Sequence, residues 1–442
     1  MNFNRRTFLA ASTASIILPR FAMATPTTLR AEPVLAQILP ETEPLTQMLG
    51  FNGSTPGPEL RLRQGETLST MFENQTDQGS AIHWHGIRID NAMDGVPGLT
   101  QDLVEVGGRF DYSFITPDPG TYWYHSHARS WEQVERGLYG PLIVEETNPP
   151  QVDHDITIIV DDWRIERSGQ LAGNFDNTRD FAHAGRMGNV ARALISQASV
   201  REGDRVRLRL INTATARIFP LNVSGIEGVI VALDGMPLAS PLPVTNMVLA
   251  PAQRIDIIAD VTSEILVQTP TRDGPFGLGR IGIDGTNPNP IATAITALPA
   301  TPTATPADTP SQSLTLSIQG GAMGGAMMGG AMGGRRGGDD IWSFNGRSGM
   351  TDDPWASFAR GETVRITLVN ETAFPHGIHL HGHHFHEVAS DGSLGPLRDT
   401  TLVDVRQTRD IICVFDNPGQ WLLHCHMLGH QASGMKTWVN VA

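Results

Sequence analysis

One pattern occurs three times along the 442 residues: RQGETLSTMFEN, REGDRVRLRLIN and ARGETVRITLVN put Gly65, Gly203 and Gly361 each nine residues ahead of Asn74, Asn212 and Asn370. Self-similarity of this kind marks a duplicated unit, so the chain is expected to hold three homologous domains. In each copy a glycine turn leads into alternating or continuous apolar residues, the pattern of a turn entering a β-strand. The expected fold class is therefore all-β, built as three β-sandwiches. Length agrees, because 442 residues exceed one ordinary domain and suit three of about 130, each able to bury its own core. Forty-six glycines, thirty prolines and only 18% charged residues suit a loop-rich β protein. The ETNPP turn at 146–150 and the proline-threonine linker TALPATPTATPADTP at 296–310 suggest domains at 36–150, 151–300 and 311–442.

The copies differ in what stands eighteen residues after the glycine. From Gly65 and Gly361 that count lands on His83 and His379; from Gly203 it lands on Leu221. His83 opens the motif HWHG with His85, and His379 sits in PHGIHLHGHHF with His376 and His381. A second alignment superimposes PGTYWYHSH, ending at His127, on PGQWLLHCH, ending at His426, with Ser126 where Cys425 stands. His83, His85, His125, His127, His376, His379, His381, His424, His426 and the following His430 are ten of the fifteen histidines, and Cys425 is one of the two cysteines. Adjacent side chains of a strand leave on opposite faces, so Cys425 points one way while His424 and His426 point the other, and one strand can connect two sites. A thiolate, two imidazoles and a weak thioether form a blue-copper electron-transfer centre. Cys425, His430 and Met435 of HCHMLGHQASGM supply all but one imidazole, which a distant segment must give.

All four motifs match without gaps those of the multicopper oxidases, and the chain resembles that family of laccases, ascorbate oxidases and bacterial cuprous oxidases. The resemblance implies cupredoxin-like Greek-key domains and four copper ions. It implies a type 1 copper on His376, Cys425, His430 and Met435, a type 2 copper on His83 and His379, and a type 3 pair on His85, His125, His127, His381, His424 and His426. The first and third domains must then face each other for the histidine pairs to converge, with the middle domain as spacer or wall. His154, His183, His383, His384 and His386 remain unassigned, as neighbours of ligands or surface residues. Asp94, eleven residues after His83, lies where the family carries a proton-relay aspartate; the other reading of DNAMDGVPG is a turn aspartate before glycine. The acid that follows the type 1 histidine in some bacterial relatives is here Gln431.

The N-terminus, MNFNRRTFLAASTASIILPRFAMA, resembles a twin-arginine export signal ending at Ala24, with a short membrane anchor as the alternative. Its apolar run is too short and serine-rich to span a bilayer. Removing it takes three arginines and no acid, leaving 29 basic against 46 acidic residues, a net charge of −17. That balance argues against a nucleic-acid partner and suits attraction of cations. A periplasmic monomer without membrane attachment is expected. With Cys425 used as a ligand, Cys413 has no disulfide partner and reads as a buried strand residue.

The tract GGAMGGAMMGGAMGGRRGG, residues 320–338, carries Met323, Met327, Met328 and Met332. Thioethers are soft ligands that favour Cu(I), and the glycines would let them fold around an ion; a glycine-rich loop with incidental methionines is the other reading. The expected function is oxidation of Cu(I), or of other metal ions, by dioxygen. A laccase acting on phenols shares every ligand, and a copper-free scaffold protein of the same fold is the non-enzymatic alternative.

Overall fold

The computed structural model describes residues 16–17, 28–322 and 340–442. The tract methionines lie outside the described residues, and so does the signal segment except for Ile16 and Ile17, whose backbone runs parallel to Leu194 and Ile195. Strand makes up 52% of the protein and helix 4%, which gives the all-β sandwich architecture expected.

Two four-stranded sheets form the first sandwich, one from Thr46–Phe51, Thr28–Ala36, Thr67–Asn74 and Arg109–Ile115, the other from Leu60–Arg63, Tyr139–Glu145, Gly120–Ser126 and Ile82–His85. A ten-stranded sheet that includes Arg205–Asn212, Phe219–Leu233 and Arg254–Thr271 builds the second. The third pairs a six-stranded sheet around Glu362–Asn370 with a five-stranded one containing His376–Leu380 and Gly419–Cys425. Each has its own apolar core. A further cluster, with Val34, Trp123, Trp163, Ile211 and Leu428, draws on all three and fastens them together.

The repeated pattern has the same geometry in each copy. Gly65, Gly203 and Gly361 have φ of 84°, 85° and 85°. A Cβ at Gly65 or Gly361 would meet nothing within 4 Å, so the left-handed backbone, not space, calls for glycine there. The asparagines Asn74, Asn212 and Asn370 are buried and clamp a turn. Each amide donates to a carbonyl four or five residues ahead (Gln78, Arg217, Phe374) and to a more distant one (Val104, Leu249, Val403). Each Oδ1 accepts from the backbone N–H two residues on. A buried amide with every group satisfied is costly to replace, because its partners would be left unpaired.

Candidate metal centre

Strand register brings the histidine motifs side by side. His83 stands opposite His125 on paired strands of the first sandwich, and His379 opposite His424 in the third. The two sandwiches face each other across this register. Rings from both stack in the middle, His83 on His381 at 3.9 Å and His85 on His379 at 3.8 Å between centroids. Seven of the eight histidines of the four motif pairs fall in overlapping groups whose ligand atoms lie within 4.8 Å of one another, and the ring of His426 lies 4.9 Å from that of His85 and 5.2 Å from that of His125. In the middle sandwich Leu221 and Val223 fill the core instead.

Hydrogen bonding decides which nitrogen of each ring faces inward. Nδ1 of His83 bonds to the Asp94 carbonyl, that of His125 to Ser126, that of His379 to Asp399 and that of His424 to Cys425, at 2.8–2.9 Å. His381 Nδ1 bonds to both Asp94 carboxylate oxygens at 3.1 and 3.0 Å. Every one of these rings therefore presents Nε2 to the centre. His85 is the reverse: its Nε2 bonds to Asp399 Oδ1 at 3.1 Å, leaving Nδ1 inward. The inward nitrogens of His83, His125, His127 and His379 (Nε2) and of His85 (Nδ1) have no partner, and both nitrogens of His426 and of the buried His384 are also unpaired. Nε2 of His381 and His424 face each other at 3.1 Å. Buried imidazole nitrogens left unpaired are costly unless something accepts their lone pairs, and a group of them converging on one space fits metal ions. Burial, reinforced by neighbouring rings, holds His85, His125, His127, His381, His424 and His426 well below the usual histidine pKa, so all are neutral donors.

On the opposite face of the Gly419–Cys425 strand, Cys425 Sγ lies 3.7 Å from Nδ1 of both His376 and His430, and those two nitrogens are 3.1 Å apart. All three residues and Met435 are buried. Burial pushes the Cys425 thiol up to about 12 and the His430 imidazole down to about 4. This cavity holds its thiol protonated until a cation displaces the proton. Outside it, Thr372 Oγ meets His376 Nε2 at 2.8 Å, the His183 carbonyl meets His430 Nε2 at 2.7 Å, and the Trp342 ring lies against His430 at 4.3 Å. Ser126, at the matching place in the first sandwich, instead bonds Gln133 and the Ala128 carbonyl.

Asp94 follows the short turn Asn91–Met93 and is 1% exposed. Sequence reasoning missed Asp399, which bonds His85, approaches His379 Nδ1 at 3.5 Å and is gripped by Arg254 at 2.6 and 3.0 Å. Burial would raise its carboxyl; Arg254, with His85 and His379, reverses this and holds it well below the usual carboxylate range. Arg254 comes from the middle sandwich and also donates to the Thr121 carbonyl of the first. No local motif announces either residue. Of the unassigned histidines, His183 touches the thiolate cavity through its carbonyl, His383 bonds the His381 carbonyl, His384 is buried 4.0 Å from Asp399, and His154 and His386 bond Asp204 and Gly395. Gln431 accepts from Ser130 and, with His127 and Trp131, lines a cleft of ≈ 280 Å³ open to solvent. Cys413 is fully buried in Thr408–Phe415.

The comparisons with known proteins agree in kind. Multicopper oxidase models match residues 35–149, 116–265 and 317–442. The crystal structure of Lac15 from a marine microbial metagenome is 56% identical with a TM-score of 0.81, covering 94% of this chain and 100% of that one. Multicopper oxidase MmcO of Mycobacterium tuberculosis is 28% identical over 89% of this chain and 83% of its own. Copper resistance protein A of Pseudomonas syringae pv. tomato is 32% identical over 51% of this chain and 45% of its own. The chain belongs to the multicopper oxidase family and is an oxidoreductase.

Proposed function

We propose that this enzyme holds four copper ions and couples oxidation of Cu(I) to the reduction of dioxygen to water. The observation that carries the copper assignment is the convergence of unpaired imidazole nitrogens beside a separate N₂S cavity. His376, Cys425, His430 and Met435 would hold type 1 copper, His83 and His379 type 2, and His85, His125, His127, His381, His424 and His426 the type 3 pair. When bound, the coppers supply one-electron oxidation of the donor at type 1 and four-electron reduction of dioxygen at the other three. Cys425 is joined to His424 and His426 by single peptide links, the covalent path between the two sites. Asp94 lies against His83 and His381 and is the carboxylate suited to proton delivery. The cleft at His127 offers dioxygen and water a way in. Export by the twin-arginine route, a monomeric periplasmic form and domain boundaries near 150 and 300–311 belong to the same reading; among the described residues no helix is long and apolar enough to cross a membrane.

For Cu(I) as substrate, the supporting observation is where the methionine tract leaves the fold. Its entry is fixed by Ala322 N–H donating to the Ala182 carbonyl, and its exit by Ile341 and Trp342 N–H donating to the Ser433 carbonyl, with the Trp342 ring on His430. Both ends therefore flank the type 1 cavity. The test is oxygen consumption with Cu(I) and with a phenol, compared for wild type, a deletion of 320–338, and a variant with leucine at Met323, Met327, Met328 and Met332. Leucine keeps bulk but removes the sulfur lone pairs. Loss of Cu(I) oxidation in both variants with phenol oxidation retained is expected; equal Cu(I) kinetics in all three would make the enzyme a laccase.

A further inference from the structure

Three successive carbonyls of the middle sandwich, those of Phe181, Ala182 and His183, each accept a hydrogen bond from the third. Trp342 Nε1 donates to Phe181 at 2.6 Å, Ala322 N to Ala182 at 2.8 Å, and His430 Nε2 to His183 at 2.7 Å. The turn that carries them ends the short helix Thr178–Ala182. It is seated from both sides. Phe181 packs so closely on the helix Leu428–Ala432 that a Cβ at Gly429 would lie 3.0 Å from its ring, and Leu428 N–H donates to the Thr215 carbonyl of the same sandwich. His430 is left with no exposed surface.

We propose that this turn is the specificity-determining element of the oxidase: it caps the outer edge of the type 1 imidazole and so favours metal-ion donors over phenols. The inference rests on the type 1 assignment above. With Nδ1 of His430 directed at the Cys425 sulfur, the ring has one polar group left for a substrate, the Nε2–H, and the His183 carbonyl occupies it. A phenol that docks by hydrogen bonding to that N–H must displace a well-placed acceptor and leave a buried carbonyl unpaired. A phenol also has to shed a proton with its electron. A reduced metal ion gives up an electron alone: Cu(I) would become Cu(II) as the copper held by His376, Cys425, His430 and Met435 took up that one electron. That transfer needs no hydrogen bond to His430 and tolerates the thickness of one peptide. The His183 side chain belongs to the same turn and is partly exposed. Its Nδ1 bonds the Arg179 carbonyl, leaving Nε2 as the ring's acceptor for an incoming soft cation.

The experiment uses the full chain with Phe181→Ala, which removes the packing that seats the turn, and independently Gly429→Ala, which pushes the turn off from the other side. A copper-free readout comes first: exchange of the His430 Nε2 proton with solvent, followed by NMR of ¹⁵N-histidine apoprotein, is slow in the wild type and accelerates in both variants. In the copper-loaded protein, kcat/KM for a methoxyphenol then rises about tenfold in both, while that for Cu(I) changes less than about twofold. A wild-type His430 proton exchanging as fast as free imidazole overturns the cap. So do unchanged phenol kinetics in a variant whose proton exchange has accelerated. Either result leaves the blue copper-thiolate band intact, whereas failure of the type 1 assignment itself would be seen as a band that survives Cys425→Ser.

Discussion

The two sites are buttressed in opposite ways. Around the histidine cluster the outer partners include two carboxylates beside backbone carbonyls, and each carboxylate joins the two sandwiches: Asp94 of the first touches His83 and His381, and Asp399 of the third touches His85 and His379. Around the thiolate cavity the outer partners are neutral, a hydroxyl at Thr372, a carbonyl at His183 and the ring of Trp342. A buried anion beside a ligand raises the ligand's basicity and offsets cationic charge. It would suit the proposed cluster of copper ions, which must also receive protons. Neutral partners would leave a metal ion in that cavity with less compensation of its charge. The carboxylates differ as well, since Asp399 is locked by Arg254 and Asp94 bonds only imidazoles and backbone among the contacts described. On the proposed reading, Asp399 would position ligands and Asp94 would exchange protons.

The strongest test of the division is Cys425→Ser, expected to abolish the blue absorption and turnover while type 2 and type 3 copper still bind; loss of all copper would mean the two sites are not separable. Asp94→Asn should keep the full copper count and the blue band but slow reoxidation by dioxygen about a hundredfold, the scale of a lost proton-transfer group. Stopped-flow reoxidation checks this, and unchanged rates would return Asp94 to a structural role. Asp399→Asn should instead weaken copper at the histidine cluster about tenfold, read as copper per chain after dialysis against a chelator, with the blue band retained. If Asp399→Asn and Asp94→Asn behaved alike, the distinction between the two carboxylates would be lost.

A smaller effect is expected from pH on the apoprotein. Burial holds His85, His125, His127, His381, His424 and His426 well below the 6.5 of an unfolded chain. As pH falls below 6.5 the unfolded state takes up protons first, so stability present at pH 7 is lost progressively toward the lowered folded values. Asp399, also depressed, adds loss of the same sign below its unfolded pKa. The Cys425 thiol, at about 12, contributes nothing in this window. Thermal melts of apoprotein between pH 7 and 4 should fall steadily, and a flat profile would mean the rings are not buried neutral. Smallest is Thr372→Val. Thr372 Oγ–H donates to Asn370 Oδ1, so toward His376 the oxygen is the acceptor. Removing it makes that imidazole a poorer donor and should raise the type 1 potential by up to about 40 mV, one hydrogen bond's worth; a fall would reverse the assigned direction of the bond.

The ligand-type residues were legible in the sequence because each motif is local. A pair such as His83 and His85 needs only one strand, and the glycine-to-histidine count repeats wherever the domain does. The middle copy, with Leu221 in place of histidine, was legible for the same reason. What surrounds those residues was not. Asp399 reaches His85 across 314 positions, Arg254 reaches Asp399 across 145, and the His183 carbonyl reaches His430 across 247. None belongs to a repeated pattern, and a backbone carbonyl leaves no trace in residue identity. Thr372 could have been found, because NET at 370–372 repeats NQT at 74–76.

That asparagine turn makes the molecule its own control. The same amide clamp is present three times, and in the first two sandwiches it closes only a turn. In the third, the threonine anchored by Asn370 also steadies His376. Substituting Asn212 thus measures what the clamp is worth to folding alone, and substituting Asn370 measures folding plus the electronic state of one imidazole. The difference between two identical mutations in one chain isolates what the scaffold lends to the metal.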